Sequence, residues 1–384
     1  MLEIGIGLTL ISWLFIGYVY LGYPILLWAL SRFKLQAVSR KSCSPFVTLI
    51  ISAYNEETSI KNKLENSIAL DYPKESLEII VVSDASTDGT DSLVQSFESH
   101  GIILLRLPER GGKTLGLNAA LKVARGEIVL FSDANILYEK NVLQMLVQNF
   151  ADPTVGCVTG DSRYRTDRLT AAHTQENTYW NYERFIRTWE SQIGSTVGGD
   201  GAIFAIRRKL FRDLASDAIN DLVIPLQIVM AGYRSIFEPK AVGYESSAGT
   251  FRGEFKRKQR IVNRSWRGIM SVSGVLNPFR VGLFSWEVWS HKLLRWFVLP
   301  VWVVSGLICV FGSTQHPIFT LGAFGFFVSL ILAGIGIVLS RPFGILAKIS
   351  QAMTYFYVVN FAAFLGIIRA VSGKVEIIWK SERN

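Results

Sequence analysis

Apolar residues fall into two patterns along this chain. Between about residues 42 and 280 they form short runs that end in polar clusters; toward both termini they form long runs almost without charge. The short runs have strand length: Phe46–Ser52, Leu77–Ser83, Ile102–Leu107 and Ile128–Phe131. Between them lie stretches with helical spacing, to about Leu70, to about Ser99 and from Gly111 to Ala124. Strands alternating with helices over short connections predict a doubly wound parallel sheet of the α/β class. Strands apolar throughout fit a sheet covered on both faces. After Asn135 the pattern loosens. Val155–Asp161 and Ala202–Ile206 read as strands, Leu169–Gln192 as an aromatic-rich helix, and Asn220-Asp221 as the start of a helix to Gly232 with Pro225 in its first turn.

The long runs have membrane length. Ile4 to Leu30 exceeds the roughly 20 residues that cross a bilayer. A signal peptide would want a basic leader and a shorter apolar core, whereas here Glu3 is the only early charge. Arg32, Lys34, Arg40 and Lys41 follow, so the positive-inside rule places what comes next in the cytoplasm of a cell with an inner or plasma membrane. Three further segments, about 293–312, 317–340 and 350–370, sit near the C-terminus; Ser313–Pro317 reads as a tight hairpin on the far side and Arg341 and Lys348 as a return. A fourth crossing would put the tail outside, while its Arg369, Lys374, Lys380 and Arg383 favour the inside. The expected division is an anchor over 1–31, a cytoplasmic catalytic domain over 42–280 and a membrane domain over 281–384.

Composition narrows the chemistry. Of 384 residues 49% are apolar, the net charge is +9, and there are three cysteines and four histidines. The basic residues cluster beside the apolar runs, which fits an anionic leaflet and argues against nucleic acid. The scattered Cys43, Cys157 and Cys309 give neither a disulfide frame nor a metal spacing. No Gly-x-Gly-x-x-Gly follows the first strand, and no P-loop motif occurs, which counts against a dinucleotide dehydrogenase and a P-loop ATPase.

Polar residues at strand ends carry the candidate site, because ligands of open α/β sheets bind there. Asp133 and Asn135 flank Ala134 at the end of the Ile128 strand, and two such oxygens can share one hard cation. A plain turn is the alternative. Gly111-Gly-Lys113 offers helix N-terminal N–H groups and an ammonium suited to phosphate. Asp221 reads either as a helix cap or as a general base. Phe251–Met270, with Arg260, Arg264 and Trp266, reads as a membrane-surface helix or as a cover over a diphosphate.

Taken in order, six pieces resemble family 2 glycosyltransferases: Ser52–Glu57, Asp84 within Val82–Gly89, Gly111-Gly-Lys113 to Asn118, Asp133-Ala-Asn135, Gly199-Asp200-Gly201 and Asn220-Asp221. The resemblance covers about 45–270 and implies a GT-A nucleotide-sugar-binding domain flanked by transmembrane helices, in the membrane-anchored polysaccharide branch. It implies that Ala53, Tyr54 and Glu56 line a nucleoside pocket, Asp84 bonds the uracil, Lys113 lies near the diphosphate, and Asp200 lies in the substrate site. Asp133 and Asn135 would hold the ribose and Mg²⁺ or Mn²⁺, and Asp221 would be the base. A UDP-sugar would be the donor and a growing exopolysaccharide or lipid-linked saccharide the acceptor. The few helices leave room for export or assembly subunits. Transfer of one sugar to polyprenyl phosphate, a silent scaffold of the same fold and a nucleotidyltransferase are the rivals. Two departures stand out. Asn135 replaces a carboxylate, and Gln259-Arg-Ile-Val-Asn-Arg-Ser-Trp266 has the residue types of the processive Gln-x-x-Arg-Trp motif at another spacing.

Overall fold

The computed structural model describes residues 1–33, 35–165, 171–246, 251–339 and 344–375. Lys34, Leu169, Arg341, Lys380 and Arg383, named above, lie outside these described residues. At the centre is an eight-stranded sheet built from β1 (Val47–Ala53), β2 (Leu77–Ser83), β3 (Ile102–Arg106), β4 (Ile128–Asp133), β5 (Leu137–Tyr138), β6 (Val155–Arg165), β7 (Ile203–Arg207) and β8 (Arg234–Ser246). The spatial order is β3-β2-β1-β4-β7-β6-β8-β5.

Two-residue periodicity explains why the first strands are apolar throughout. Leu49, Ile51, Val81 and Leu130 join the core on one face, while Ile50, Ile80, Val129 and Phe131 join the core on the other. Helices Glu57–Ile68 and Lys113–Val123 supply cover on the two sides, with Ile60 and Leu64 in one core and Leu117 and Ala120 in the other.

The expected parallel sheet holds only for half of it. β3, β2, β1 and β4 are parallel, but β7 pairs antiparallel with both β4 and β6, and β5 antiparallel with β8. β7 enters the sheet through the 198–201 turn, so it runs back beside β4 instead of crossing over. β8 pairs parallel with β6, and the register jumps from Thr159↔Phe237 to Asp161↔Val242. Pro239 lies in that bulge, where a residue without an N–H does no harm to the ladder.

Among the described residues, three helices are long and apolar enough to cross a membrane: Leu2–Phe33, Pro317–Val338 and Ile345–Val371. Leu283–Trp296 with Val298–Gly312 makes a fourth candidate, bent by 54°. The basic helix Phe251–Ser271 packs along Ile345–Val371. Gly366 permits this approach, since a Cβ there would lie 2.7 Å from the Gln259 carbonyl oxygen, and Asn263 donates to the Gly366 carbonyl. The first helix is tied to helix Ala171–Ile193, where the Tyr23 hydroxyl donates to Glu190 at 2.6 Å. Cys157 and Cys309 are buried, whereas Cys43 is exposed just ahead of β1.

Candidate active site

The ends of β1 and β2 are laced together. Asn55 and Ala85, just beyond these strands, both take left-handed conformations, with φ of +52° and +54°. Such backbone is costly without glycine and persists only where neighbours fix it. Here the Thr87 amide donates to Asn55 Oδ1 at 2.8 Å, the Asn55 amide to Ser86 Oγ at 3.2 Å, and the Glu56 amide to Thr90 Oγ1 at 2.8 Å. Only the pairing of the strands brings these residues together to brace one another. Ala53 is buried, Tyr54 is half-buried under the Arg110 guanidinium, 3.7 Å above its ring, and Glu56 accepts from Ser59 at 2.5 Å.

Asp84, at the end of β2, takes Gly111 N–H at 2.7 Å and Gly112 N–H at 3.0 Å. Its carboxylate thereby shapes the turn that opens helix Lys113–Val123, in which Gly112 has φ of +86°. Lys113 then projects across the sheet ends. Its Nζ lies 2.6 Å from Asp133 Oδ1 and 2.9 Å from the Gly201 carbonyl oxygen. The Asp133 side chain is 36% exposed, and so stays open to an incoming ligand.

Asp221 faces the same turn. A Cβ on Gly201 would sit 3.1 Å from Asp221 Oδ2 and 3.6 Å from Lys113 Nζ, so glycine lets these charged groups approach. Helix Asn220–Met230 starts one residue before Asp221, with Ile219 at the N-cap position and no side-chain cap bond, so the capping alternative does not hold. Pro225 falls in the second turn of this helix, not the first. Asp221 keeps some solvent access, yet its Oδ1 is shut off and has no hydrogen-bond partner. Burial raises its pKa above the ordinary carboxylate value; Lys113 opposes the rise and Asp200 adds to it. Such a carboxylate is suited to taking a proton.

The remaining candidates separate. Asp200 accepts from Ser162 Oγ at 2.5 Å and from the Ala202 amide at 3.2 Å, with Arg187 4.0 Å away, so its hydrogen bonds tie the turn to β6 and to the start of β7. Arg264 donates to Thr114 Oγ1 at 3.2 Å and to the Ala218 carbonyl at 2.5 Å, which pins the approach to Asp221. Arg260 is one turn earlier on the same helix. Trp266 instead packs tilted against Trp296 and edge-on to Phe297, with centroids 6.2 and 6.3 Å away. The Gln259 carbonyl lies against Gly366, the Arg264 side chain against the 217–218 loop and Trp266 against the bent helix pair. At about 100° per residue, Gln259 and Trp266, seven residues apart, share one side of the helix while Arg264 lies on the other, so the three form no single grip.

Beneath the site lies a pair that sequence reading missed. Lys63 is fully buried, its Nζ has no hydrogen-bond partner, and it sits 3.5 Å over the Tyr138 ring. Burial pushes its pKa well down, while Asp133 opposes this. The Tyr138 hydroxyl donates to the Ala202 carbonyl at 2.7 Å, under the 198–201 turn. Its helical spacing is the signal that could have found it: Lys63 shares the buried face of Glu57–Ile68 with Ile60, Leu64 and Ser67.

Comparison with known proteins identifies this arrangement. Residues 48–215 match the family model for glycosyl transferase family 2. The chain carries a family 2 glycosyltransferase domain. It is similar to the poly-beta-1,6-N-acetyl-D-glucosamine synthase of Staphylococcus aureus, 28% identical over 220 residues that cover 56% of this chain and 53% of the synthase. It is also similar to the probable glycosyltransferase YdaM of Bacillus subtilis, 26% identical over 77% of this chain and 65% of that one. The matched region thus spans between half and two thirds of these relatives. Among solved structures, a mannosyltransferase from Pyrobaculum calidifontis in complex with GDP-Man and Mn²⁺ superposes with a TM-score of 0.69, at 25% identity, over 96% of this chain and 99% of its own. The mixed sheet with its surrounding helices is the GT-A fold.

Proposed function

We propose that this protein is a membrane-embedded inverting glycosyltransferase whose active site faces the cytoplasm, and that it moves a sugar from a UDP-sugar to a growing exopolysaccharide or lipid-linked saccharide. The observation that carries this reading is Asp221: a carboxylate with raised pKa and a free Oδ1, set across Gly201 from Lys113, which in turn holds Asp133. The nucleoside would enter between Ala53, Tyr54, Glu56 and Asp84, with the sugar lying toward the 198–201 turn. Asp221 accepts the proton of the attacking hydroxyl. The new bond to the anomeric carbon forms as the bond to the diphosphate oxygen breaks on the opposite face, and configuration inverts. Lys113 offsets the charge that grows on the departing diphosphate.

Among the described residues no cluster of three or more His, Cys, Asp or Glu is close enough to hold a metal unaided. The open Asp133 carboxylate and the Asn135 amide oxygen nevertheless suit Mg²⁺ or Mn²⁺, which takes one or two protein oxygens beside substrate phosphates. Such an ion would supply electrostatic stabilisation of the leaving group.

The test is a donor panel on membranes containing the full chain, with Mg²⁺ or Mn²⁺. It should include labelled UDP-sugars and, given the likeness to the mannosyltransferase structure, GDP-mannose. Label in large polymer supports chain growth, and label in a small lipid-extractable product supports single transfer. No transfer from any donor, with wild-type folding, overturns the reading.

A further inference from the structure

An α-helix normally closes each carbonyl with the N–H four residues on. For Asp221 that donor would come from position 225, and position 225 is proline. Proline has no N–H, and its ring crowds the carbonyl four residues back. The Asp221 carbonyl is thus left without its helical partner in the first turn of a buried helix. It is not orphaned, because the Gly199 amide donates to it at 2.5 Å. The 198–201 turn fits this contact closely: a Cβ on Gly199 would lie 3.1 Å from the same carbonyl oxygen, and Gly198 has φ of +84°. The far end of the turn is held by Lys113 Nζ on the Gly201 carbonyl, at 2.9 Å.

We propose that Pro225 is a positioning residue for glycosyl transfer: by withholding an N–H from the Asp221 carbonyl, it keeps that oxygen free to dock Gly199 and so fixes the Asp221 carboxylate against the Gly201 face of the turn. The turn then links the Asp221 backbone at one end to Lys113 and Asp133 at the other. Proline mid-helix is ordinarily a cost to the helix. Here it exchanges one local bond for one between two segments of the site. Replacing it with alanine supplies a competing donor inside the helix. The carbonyl returns to the helical bond, Gly199 is released, and Asp221 loses its register with Lys113. This inference rests on the reading of Asp221 as the base.

The experiment compares Pro225→Ala with a variant carrying an α-hydroxy acid at 225, whose ester linkage has neither ring nor N–H. Both are made in the full chain in membranes. Release of nucleoside diphosphate is followed with UDP-N-acetylglucosamine and GDP-mannose, and donor Kd and melting temperature are measured in parallel. Pro225→Ala is expected to lower kcat about tenfold or more, since small misplacements near reacting atoms are costly. Donor Kd should stay near wild type, and the melting temperature should hold or rise. The ester should restore kcat toward wild type. Unchanged kcat in Pro225→Ala overturns the proposal, as does an ester variant as slow as alanine, which would assign the effect to the ring. If Pro225→Ala does not fold, glycolic acid in place of Gly199 removes the same contact from the other side; full turnover in that variant overturns the proposal. Asp221→Asn is run alongside. If it keeps turnover, the reading of Asp221 as base has failed; if it loses turnover while Pro225→Ala does not, only the positioning role has.

Discussion

The parallel half of the sheet and the mixed half secure their polar residues over different distances along the chain. At the ends of β1 and β2, Asn55 meets Thr87, Glu56 meets Thr90 and Asp84 meets Gly111, pairs separated by 32, 34 and 27 residues. Each joins one strand end to the loop after the next strand, so a β-α-β repeat assembles the region almost by itself. In the mixed half, Lys113 reaches Gly201 across 88 residues and Arg264 reaches Thr114 across 150. That side draws its contacts from segments far apart in the chain, including the basic helix packed on Ile345–Val371. On the proposed reading, the parallel half would cradle the donor and the mixed half would carry the proton acceptor. Variants in the first should change binding, and variants in the second should change turnover.

The largest expected effect tests the turnover side. Asp221→Asn should lower kcat by about 10²–10⁴-fold, the usual worth of a general base, with donor Kd unchanged in a binding titration. Wild-type activity should also decline as pH falls through the raised Asp221 pKa, placing the acid limb above the ordinary value of 3.8; a limb at or below that value would remove Asp221 from the role. The sign for stability runs the other way. A carboxyl with raised pKa favours folding only while protonated, and this help is lost as pH rises through the folded value, so at neutral pH the carboxylate is a net cost. Asp221→Asn should accordingly melt no lower than wild type.

Next in size is Asp84→Ala on the binding side. Loss of a charged acceptor for two backbone amides should weaken donor binding by about tenfold or more, with a smaller change in kcat. Equal losses in both would blur the division between the halves. Asn135→Asp should have a milder effect, lowering the half-saturating metal concentration a few-fold by adding charge. A higher requirement would take Asn135 out of the metal site. Smallest for turnover is Lys63→Met. It removes a buried ammonium without opening a large cavity, so the melting temperature should rise while activity stays near wild type. A large loss of activity would show that the cation, and not only the Tyr138 ring, supports the 198–201 turn.

The same contrast governs what the sequence disclosed. Strands β1 to β4 and the strand-end residues Asp84, Lys113 and Asp133 announce themselves through local pattern, because period, turn and ligand lie within one repeat. β8 escaped notice because Glu238-Pro-Lys240 interrupts its apolar run, and that interruption is the bulge against β6. The antiparallel course of β7 depends on pairing partners that no local period encodes. Asp221 was legible as a helix-start acid, but its choice between cap and base was not: that rests on Ile219 taking the cap position and on the surroundings of Oδ1. Gln259, Arg264 and Trp266 look like one motif in a line of letters, but once wound on a helix Arg264 lies on the side opposite Gln259 and Trp266.

The cysteines add an unplanned convenience. Two thiols are sealed inside the protein, and Cys43 alone faces solvent, in the segment between the first long helix and β1. The native chain therefore carries its own orientation reporter. A maleimide too polar to cross lipid should leave intact cells unlabelled and label inside-out vesicles at a single position, giving the sidedness of the catalytic domain without one engineered residue.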